Sequence, residues 1–172
     1  MIFKAFKVKS NQKFVENLLK ARSAAVNNKK IKTVAVILHL DEFSDFEIFR
    51  KFFKSLNIRE NMVKIVGYSE EETPLETMWD TYFHSKNFGW HGKINNIDLI
   101  EFIDRDYDLL ISYYKEDLLE LNMITARSKA NLKVGLADFD QRLYDLIIDV
   151  EPDDFKLFGK ELKKYLTVLN KL

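Results

Sequence analysis

Residues 31–40 read IKTVAVILHL. The stretch is β-branched and almost wholly apolar over its second half, which is typical of a strand covered on both faces. A helix start follows at once, because Ser44 is placed as an N-cap and Glu47 as its capping-box partner. Phe43 and Ile48 flank this cap at the spacing of a hydrophobic staple. A buried strand that leads directly into a helix predicts the first half of a β-α-β unit.

The same alternation continues through the chain. Apolar periodicity predicts further strands at 62–68, 107–113, 132–136 and 144–150, and helices at 11–27, 44–57, 97–104, 116–128 and from Pro152 onward. Strands that alternate with helices of this length are typical of crossover connections and a parallel sheet. We therefore predict an α/β fold, a three-layer, doubly wound, Rossmann-like domain with about five mainly parallel strands.

The segment from Ser69 to Asn96 is the least ordinary part of the sequence. It contains both tryptophans, two of the three histidines and two of the five glycines. A structureless loop of this length is uncommon inside a compact domain. Short strands at 77–84 and 88–94, with a turn at 85–87, would form a hairpin along one edge of the sheet.

Length and composition indicate one soluble domain spanning residues 1–172. The chain is 47% hydrophobic and 31% charged, with equal numbers of basic and acidic residues. No apolar run approaches the ~18 residues of a spanning helix, so no membrane span is expected. Lysines interrupt residues 1–10, which is unlike an export signal. The absence of cysteine excludes disulfides and thiolate metal sites and favours a reducing, cytoplasmic location.

Charge is distributed unevenly along the chain. Residues 1–32 carry nine lysines and arginines and one glutamate, which leaves a net charge of +8 there and −8 on the remainder. Such a segment either contacts nucleic acid or is the solvated face of a first helix. Because its lysines are spread rather than clustered, we expect the basic segment of residues 1–30, with the helix that it contains, to pack on the acidic body. Nucleic-acid binding is not expected.

Familiar catalytic and cofactor motifs are missing. The sequence has neither G-x-G-x-x-G nor G-x-x-x-x-G-K-[ST], the two common glycine-rich phosphate cradles. It also lacks H-E-x-x-H and G-x-S-x-G. The sequence therefore predicts no metal site and no cofactor.

Polar side chains follow several predicted strands and are the first candidates for a ligand site. In an open parallel sheet, ligands bind outside the carboxyl ends of the strands, where the strand order reverses. His39 and Asp41 end the first strand, Ser112 lies near the end of the third, and Asp149 ends the last. We expect these four residues to open onto a common rim and to bind a ligand there, although each alone is also typical of a solvated loop.

The Trp90-His91-Gly92-Lys93 tetrad is the second candidate site. His91 is suited to acid-base catalysis and Lys93 to binding an anionic group, and Trp90 would contact the ligand. The alternative is a structural one, in which a buried indole lies beside a polar turn. The sequence supplies no partner acid or nucleophile that would decide between them.

Two resemblances follow from particular residues. The stretch from Tyr107 to Gly135 resembles the acceptor-side half of two-domain glycosyltransferases, which implies the layer topology only, since the donor-nucleotide half has no counterpart here. The Trp90-x-Gly92-Lys93 motif, residues 128–135 and Tyr144-Asp145-Leu146 together resemble an uncharacterised family of short bacterial proteins, a domain of unknown function. That family implies no activity and no residue roles.

Two classes of function are compatible with these observations, and whether the chain is an enzyme stays open. The first is a ligand- or protein-binding module, which the missing catalytic motifs favour. Its aromatic content of 13% could also supply a surface for self-association or a protein partner. The alternative is a small transferase or hydrolase acting on an anionic, phosphorylated or sugar-like substrate at the strand ends.

Overall fold

The computed structural model describes residues 1–71 and 81–172, and its centre is a parallel sheet. The strands in these residues are Val34–His39 (β1), Val63–Tyr68 (β2), Thr81–Phe83 (β3), Leu109–Tyr113 (β4), Leu132–Gly135 (β5) and Leu146–Ile147 (β6). Their order is β3-β2-β1-β4-β5-β6, and each neighbouring pair is parallel. The order therefore reverses between β1 and β4.

Helices cover both faces of the sheet. They are Ile2–Ala21 (α1), Phe46–Ser55 (α2), Ile97–Asp104 (α3), Leu119–Arg127 (α4) and Phe155–Val168 (α5). Buried side chains of α2 and α5 form one core with the sheet, and those of α1, α3 and α4 form the other. The prediction of a three-layer, doubly wound α/β fold is confirmed, with six strands among the described residues instead of about five.

Aromatic rings fill the core on the α2 and α5 face. The Phe49 ring lies edge-on to the rings of Tyr113 and Phe155, with centroid distances of 5.0 and 4.8 Å. Phe158 contacts Tyr113 in the same manner at 4.9 Å. Edge-to-face pairs of this kind contribute about 0.5–1.5 kcal/mol each beyond the area that they bury. The packing fixes α2 and α5 against β4, the strand beside the reversal.

The predicted edge hairpin is wrong. Residues 81–83 form β3, which pairs parallel to β2, and residues 77–80 lie outside the described part of the chain. Residues 88–94 form no second strand, because only Phe88 and Ile94 pair, in one isolated antiparallel bridge. The reason is local: His84 and Asn87 cap a 3-10 turn at 85–87, which redirects the chain away from β3.

Two helix boundaries also differ from the prediction. Helix α1 runs from Ile2 to Ala21 instead of 11–27. Its first turns were missed because their apolar side chains are exposed and form no buried stripe at helical spacing. The N-cap of α2 is Asp45, whose carboxylate accepts from the Ile48 N–H at 3.0 Å, and not Ser44. An aspartate and a serine are nearly equivalent caps, so the capping-box spacing alone could not choose between adjacent residues.

The basic first helix packs on α4. Asn11, Val15 and Leu19 are its buried residues and face α4. Two ion pairs join the helix to the region before β6: Arg22 to Asp145 at 2.6 Å and Arg142 to Glu16 at 2.9 Å. No helix in the described ranges is both long and apolar enough to cross a bilayer.

Candidate functional site

The crevice between β1 and β4 is the place where this strand order favours a ligand. The chain leaves β1 toward α2 on one face and leaves β4 toward α4 on the other, so the two connections diverge. Ligands of open α/β sheets bind outside the carboxyl ends of the strands at such a reversal. His39 is the last residue of β1 and Tyr113 the last residue of β4.

The His39 side chain is buried in this crevice without a hydrogen-bond partner. Its Nδ1 atom lies 3.4 Å from Glu42 Oε2 and 3.5 Å from Glu116 Oε2. Its Nε2 atom lies 3.5 Å from Asp41 Oδ2. Neither ring nitrogen makes a hydrogen bond to any described residue, although His39 is only 1% exposed. Buried polar atoms are nearly always hydrogen-bonded. Among the described residues the exceptions are the two ring nitrogens of His39 and Nδ1 of His84.

Glu42 joins the two sides of the crevice. Its two carboxylate oxygens accept from the backbone N–H of Lys115, at 3.1 and 2.9 Å. The Lys115 ammonium donates in turn to Glu151 at 2.7 Å and to Asp149 at 3.0 Å. The hydrogen bond to Glu151 has the largest effect on the pKa of Lys115, and together with the bond to Asp149 it raises that pKa above its usual range. The single lysine of the rim is therefore already paired with two carboxylates.

The rim as a whole is acidic. We call it the acidic rim and define it by Asp41, Glu42, Lys115, Glu116, Asp149 and Glu151. The Tyr68 ring lies 5.8 Å from the His39 ring, at the end of β2. Burial raises the pKa of Tyr68 above its usual range, and the negative charges of Glu120, Glu70, Glu116 and Asp41 raise it further. The negative potential thus extends from β1 to β2.

Ser112 does not face this crevice. Its hydroxyl lies 2.8 Å from the Thr125 hydroxyl, which is itself 2.9 Å from the Tyr114 hydroxyl. All three side chains are completely buried between β4 and α4. Of the four residues expected on a common rim, the structure therefore brings together His39 and Asp41, with Asp149 connected to them through Lys115, and places Ser112 in the core beneath α4.

The Trp90–Lys93 segment is attached to α1 and α4. The Gly92 N–H donates to Asn11 Oδ1 and the Asn11 amide donates to the Gly89 carbonyl, both at 2.9 Å. The Arg127 guanidinium donates to the Gly92 carbonyl at 2.7 Å. Ser10 binds both the backbone N–H and Nδ1 of His91, at 3.1 and 2.8 Å.

A separate cavity of about 350 Å³ lies beside this segment. His91, Lys93 and Arg127 line it together with Phe14, Gly92, Ile94 and Ile100. The Trp90 indole is 44% exposed and is therefore not the buried ring of the structural alternative. The predicted catalytic pair thus lines one cavity, on the α1 and α4 side of the molecule.

Asn11 holds α1 to this segment, which gives a stability prediction. The variant Asn11→Ala removes two hydrogen bonds and leaves the Gly92 N–H and the Gly89 carbonyl without these partners. We expect a loss of about 1–2 kcal/mol in the free energy of unfolding. Urea denaturation measures it, with the exposed Gln12→Ala as the control on the same helix. Equal stability of the two variants would contradict a role for Asn11 as an anchor.

Several residues of the acidic rim were not singled out from the sequence. Glu42, Lys115 and Glu116 each follow within three residues of a strand end, which is the signal that could have identified them. Which strand ends lie side by side depends on strand pairing, and β1 and β4 are about 70 residues apart in sequence. Only the strand order shows that Glu42 and Glu116 both lie beside His39.

Comparison with known proteins places the chain in a family. No curated protein and no solved structure matches it. The model of a family of unknown function, DUF6913, matches residues 7–169, which include the acidic rim and the Trp90–Lys93 segment. This confirms the resemblance to an uncharacterised family, whereas none of the comparisons supports the resemblance to glycosyltransferases or a bacterial origin. Because the match extends over nearly the whole chain, the protein belongs to DUF6913, a family of unknown function.

Proposed function

We propose that this chain is a ligand-binding module whose ligand is a small organic cation with N–H donors. The site is the acidic rim outside the carboxyl ends of β1 and β4. The observation that carries the proposal is His39, whose ring nitrogens are buried and lack hydrogen-bond partners among the described residues. Asp41 and Glu116 cover the ring, and their side chains are 64% and 54% exposed. They are therefore free to move apart and enclose a ligand.

The negative charge of the rim and its hydrogen-bond acceptors favour this class of ligand. The acidic rim presents five carboxylates and one ammonium that is already paired. Carboxylates only accept hydrogen bonds. An ammonium or guanidinium group supplies both the positive charge and the N–H donors.

A bare metal ion fits less well. No group of three or more metal-ligating side chains in residues 1–71 and 81–172 is arranged to hold one. Glu42 is also occupied, since both of its oxygens accept from the Lys115 N–H. The larger organic cation requires only hydrogen-bond contact with the exposed carboxylates of Asp41 and Glu116.

Calorimetric titration with putrescine and hexamethonium tests the proposal. Both are doubly charged, but only putrescine has N–H donors. We expect putrescine to bind more tightly, and the variants Asp41→Asn and Glu116→Gln each to weaken it about 3- to 10-fold. Asp106→Asn is the matched control, because Asp106 is exposed before β4 at the opposite edge of the sheet. Equal affinities for the two ligands, or unchanged affinity in both rim variants, would overturn the proposal.

The second candidate is a transferase or hydrolase for an anionic substrate, and the cavity beside α1 favours it. His91, Lys93 and Arg127 place up to three positive charges around this cavity. Inorganic phosphate serves as the probe in a thermal-shift titration. The candidate requires a shift in melting temperature that His91→Gln and Lys93→Ala both reduce, and a flat titration would remove it.

Self-association or a protein partner is a further proposal, and the first turns of α1 support it. Ile2 and Phe3 are 72% and 80% exposed, and Phe6 lies one turn further along. Exposed apolar side chains in a group are typical of interaction surfaces. Light scattering of the pure protein tests it, since a monomer at every concentration would contradict self-association.

A cytoplasmic location is proposed from the absence of cysteine alone.

A further inference from the structure

A cavity of about 410 Å³ opens near the amino ends of the strands, at the opposite end of the sheet from the acidic rim. It lies between the end of α1, the end of α4 and the start of β5. Its polar lining includes Arg22, Ser128, Lys129, Asn131 and Lys133, and no carboxylate in residues 1–71 and 81–172 lines it. The walls are therefore cationic, in contrast to the acidic rim.

Lys133 is the unusual residue of this cavity. It lies in the middle of an apolar strand, is only 4% exposed, and donates from Nζ to the Thr125 carbonyl at 2.7 Å. Among the described residues, no carboxylate pairs with this amine. Asp145 is nearby, but its oxygens bind the Arg22 guanidinium at 2.6 Å and the backbone N–H of Lys133 at 2.8 Å.

Burial changes the protonation of this amine. It lowers the pKa of Lys133 to about 8; the charge of Arg22 lowers it as well, and that of Asp145 opposes both. Arg22 and Lys129, the latter on the loop from α4, are the other charged groups of the described lining. At pH 7.5 about a quarter of the Lys133 side chains would be neutral, against roughly a thousandth of an ordinary lysine. A neutral amine is a nucleophile, whereas an ammonium is not.

We propose that Lys133 is a nucleophilic amine that condenses with a small anionic carbonyl compound, such as a 2-oxo acid or an anionic aldehyde, in this cavity. The lone pair of Nζ attacks the carbonyl carbon, and one proton passes from the nitrogen to the carbonyl oxygen, which gives a carbinolamine. The hydroxyl group takes up a second proton from solvent and leaves as water, and the iminium ion that remains returns its N–H proton to solvent, which gives an imine without any oxidant or reductant. The positive charge of Lys129 and the polar side chains of Ser128 and Asn131 would bind the anionic group.

The cavity and the chemistry of its lining support this assignment independently of the acidic rim. A lysine held in an apolar strand by one neutral acceptor keeps its lone pair available once it loses a proton. No carboxylate of the described residues belongs to the lining, and the nearby Asp145 carboxylate is bound by the Arg22 guanidinium. The Arg22 charge is already balanced by Asp145, so Lys129 is the cation that remains for the ligand.

Reductive trapping tests the proposal. The protein is incubated at pH 7.5 with glyoxylate and sodium cyanoborohydride, and the modified lysines are identified by peptide mass spectrometry. We expect Lys133 to be modified at least tenfold faster than Lys129, the exposed lysine on the same cavity. The Lys133 rate should level off above pH 8, while the Lys129 rate keeps rising.

Two further measurements keep the outcome decisive. Formaldehyde is the neutral probe, and an equal preference for Lys133 with formaldehyde and with glyoxylate would overturn the anionic class of ligand. In Lys133→Arg, which keeps the charge, the dominant adduct should disappear while circular dichroism reports an unchanged fold. Modification of Lys129 before Lys133 in the wild-type protein would overturn the nucleophilic role itself.

Discussion

Replacing Gly135 with alanine is expected to lower the free energy of unfolding by about 3 kcal/mol. Gly135 is the last residue of β5, and a Cβ atom there would lie 2.5–2.6 Å from three ring atoms of Tyr144. The ring has little room to move, because Tyr144 is only 6% exposed and its hydroxyl lies 3.5 Å from that of Tyr114. The strain must therefore shift either the strand or the ring.

Thermal unfolding measures this effect, and we expect a decrease of roughly 6–12 °C in melting temperature. Gly89→Ala is the control, since the atoms nearest to a Cβ there belong to the flexible Lys93 side chain, at 3.2–3.6 Å. A double-mutant cycle with Tyr144→Leu separates the clash from other effects of the substitution. If Gly135→Ala cost the same with and without the Tyr144 ring, the clash would not be its cause.

The sequence predicts the fold well because the sheet is buried on both faces. In β1 all six residues are buried, and the short, β-branched apolar run at 31–40 is typical of such a covered strand. The positions of α2 and α5 followed from apolar residues at helical spacing, among them Phe49, Phe53, Phe158 and Leu162, all of which are completely buried. Periodicity of this strength reports burial directly.

The errors fall where a few hydrogen bonds decide the local path. Thr81–Phe83 has the composition of a hairpin strand, yet it pairs parallel to β2. What turns the chain afterwards is a pair of hydrogen bonds, from the His84 N–H to Asn87 Oδ1 and from the Asn87 N–H to the His84 carbonyl, both at 2.9 Å. Such short polar contacts leave no periodic pattern in a sequence. The positive φ angles of His91 and Gly92, 53° and 75°, are equally local.

The candidate site was predictable only in part, because strand ends are visible in a sequence and side-chain directions are not. His39 and Asp41 followed from the end of β1. Ser112 follows from the same rule, but the pleat directs its hydroxyl toward Thr125 on α4. Lys133 could have been identified as the one charged residue in LKVG, the β5 strand, which reads as buried.

Replacing Lys133 with methionine is expected to change stability in a way that depends on pH. The folded protein lowers the pKa of Lys133 to about 8, whereas an unfolded lysine has a pKa of about 10.4. Below pH 8 the wild-type protein therefore bears a cost of about 3 kcal/mol for a buried ammonium. Methionine removes that cost and loses the hydrogen bond to Thr125, worth about 1 kcal/mol. At pH 7 the variant should be more stable by about 2 kcal/mol.

The difference in the free energy of unfolding between the variant and the wild-type protein changes sign as the pH rises. Between pH 8 and about 10.5 the unfolded wild-type chain binds more protons at this lysine than the folded protein does, so wild-type stability increases with pH relative to the variant. Above about pH 10 the wild-type protein should be the more stable of the two, by the hydrogen bond that it retains. Tyrosines and the other lysines titrate in both proteins and cancel in the difference.

Urea denaturation of each protein from pH 7 to 10.5 measures the change in this stability difference. The control is Lys129→Met, which replaces an exposed lysine of the same cavity. Its stability difference from the wild-type protein should not change with pH. A flat difference for Lys133→Met as well would mean that the Lys133 amine titrates as it does in water, and the nucleophile proposed for this cavity would then be protonated at neutral pH.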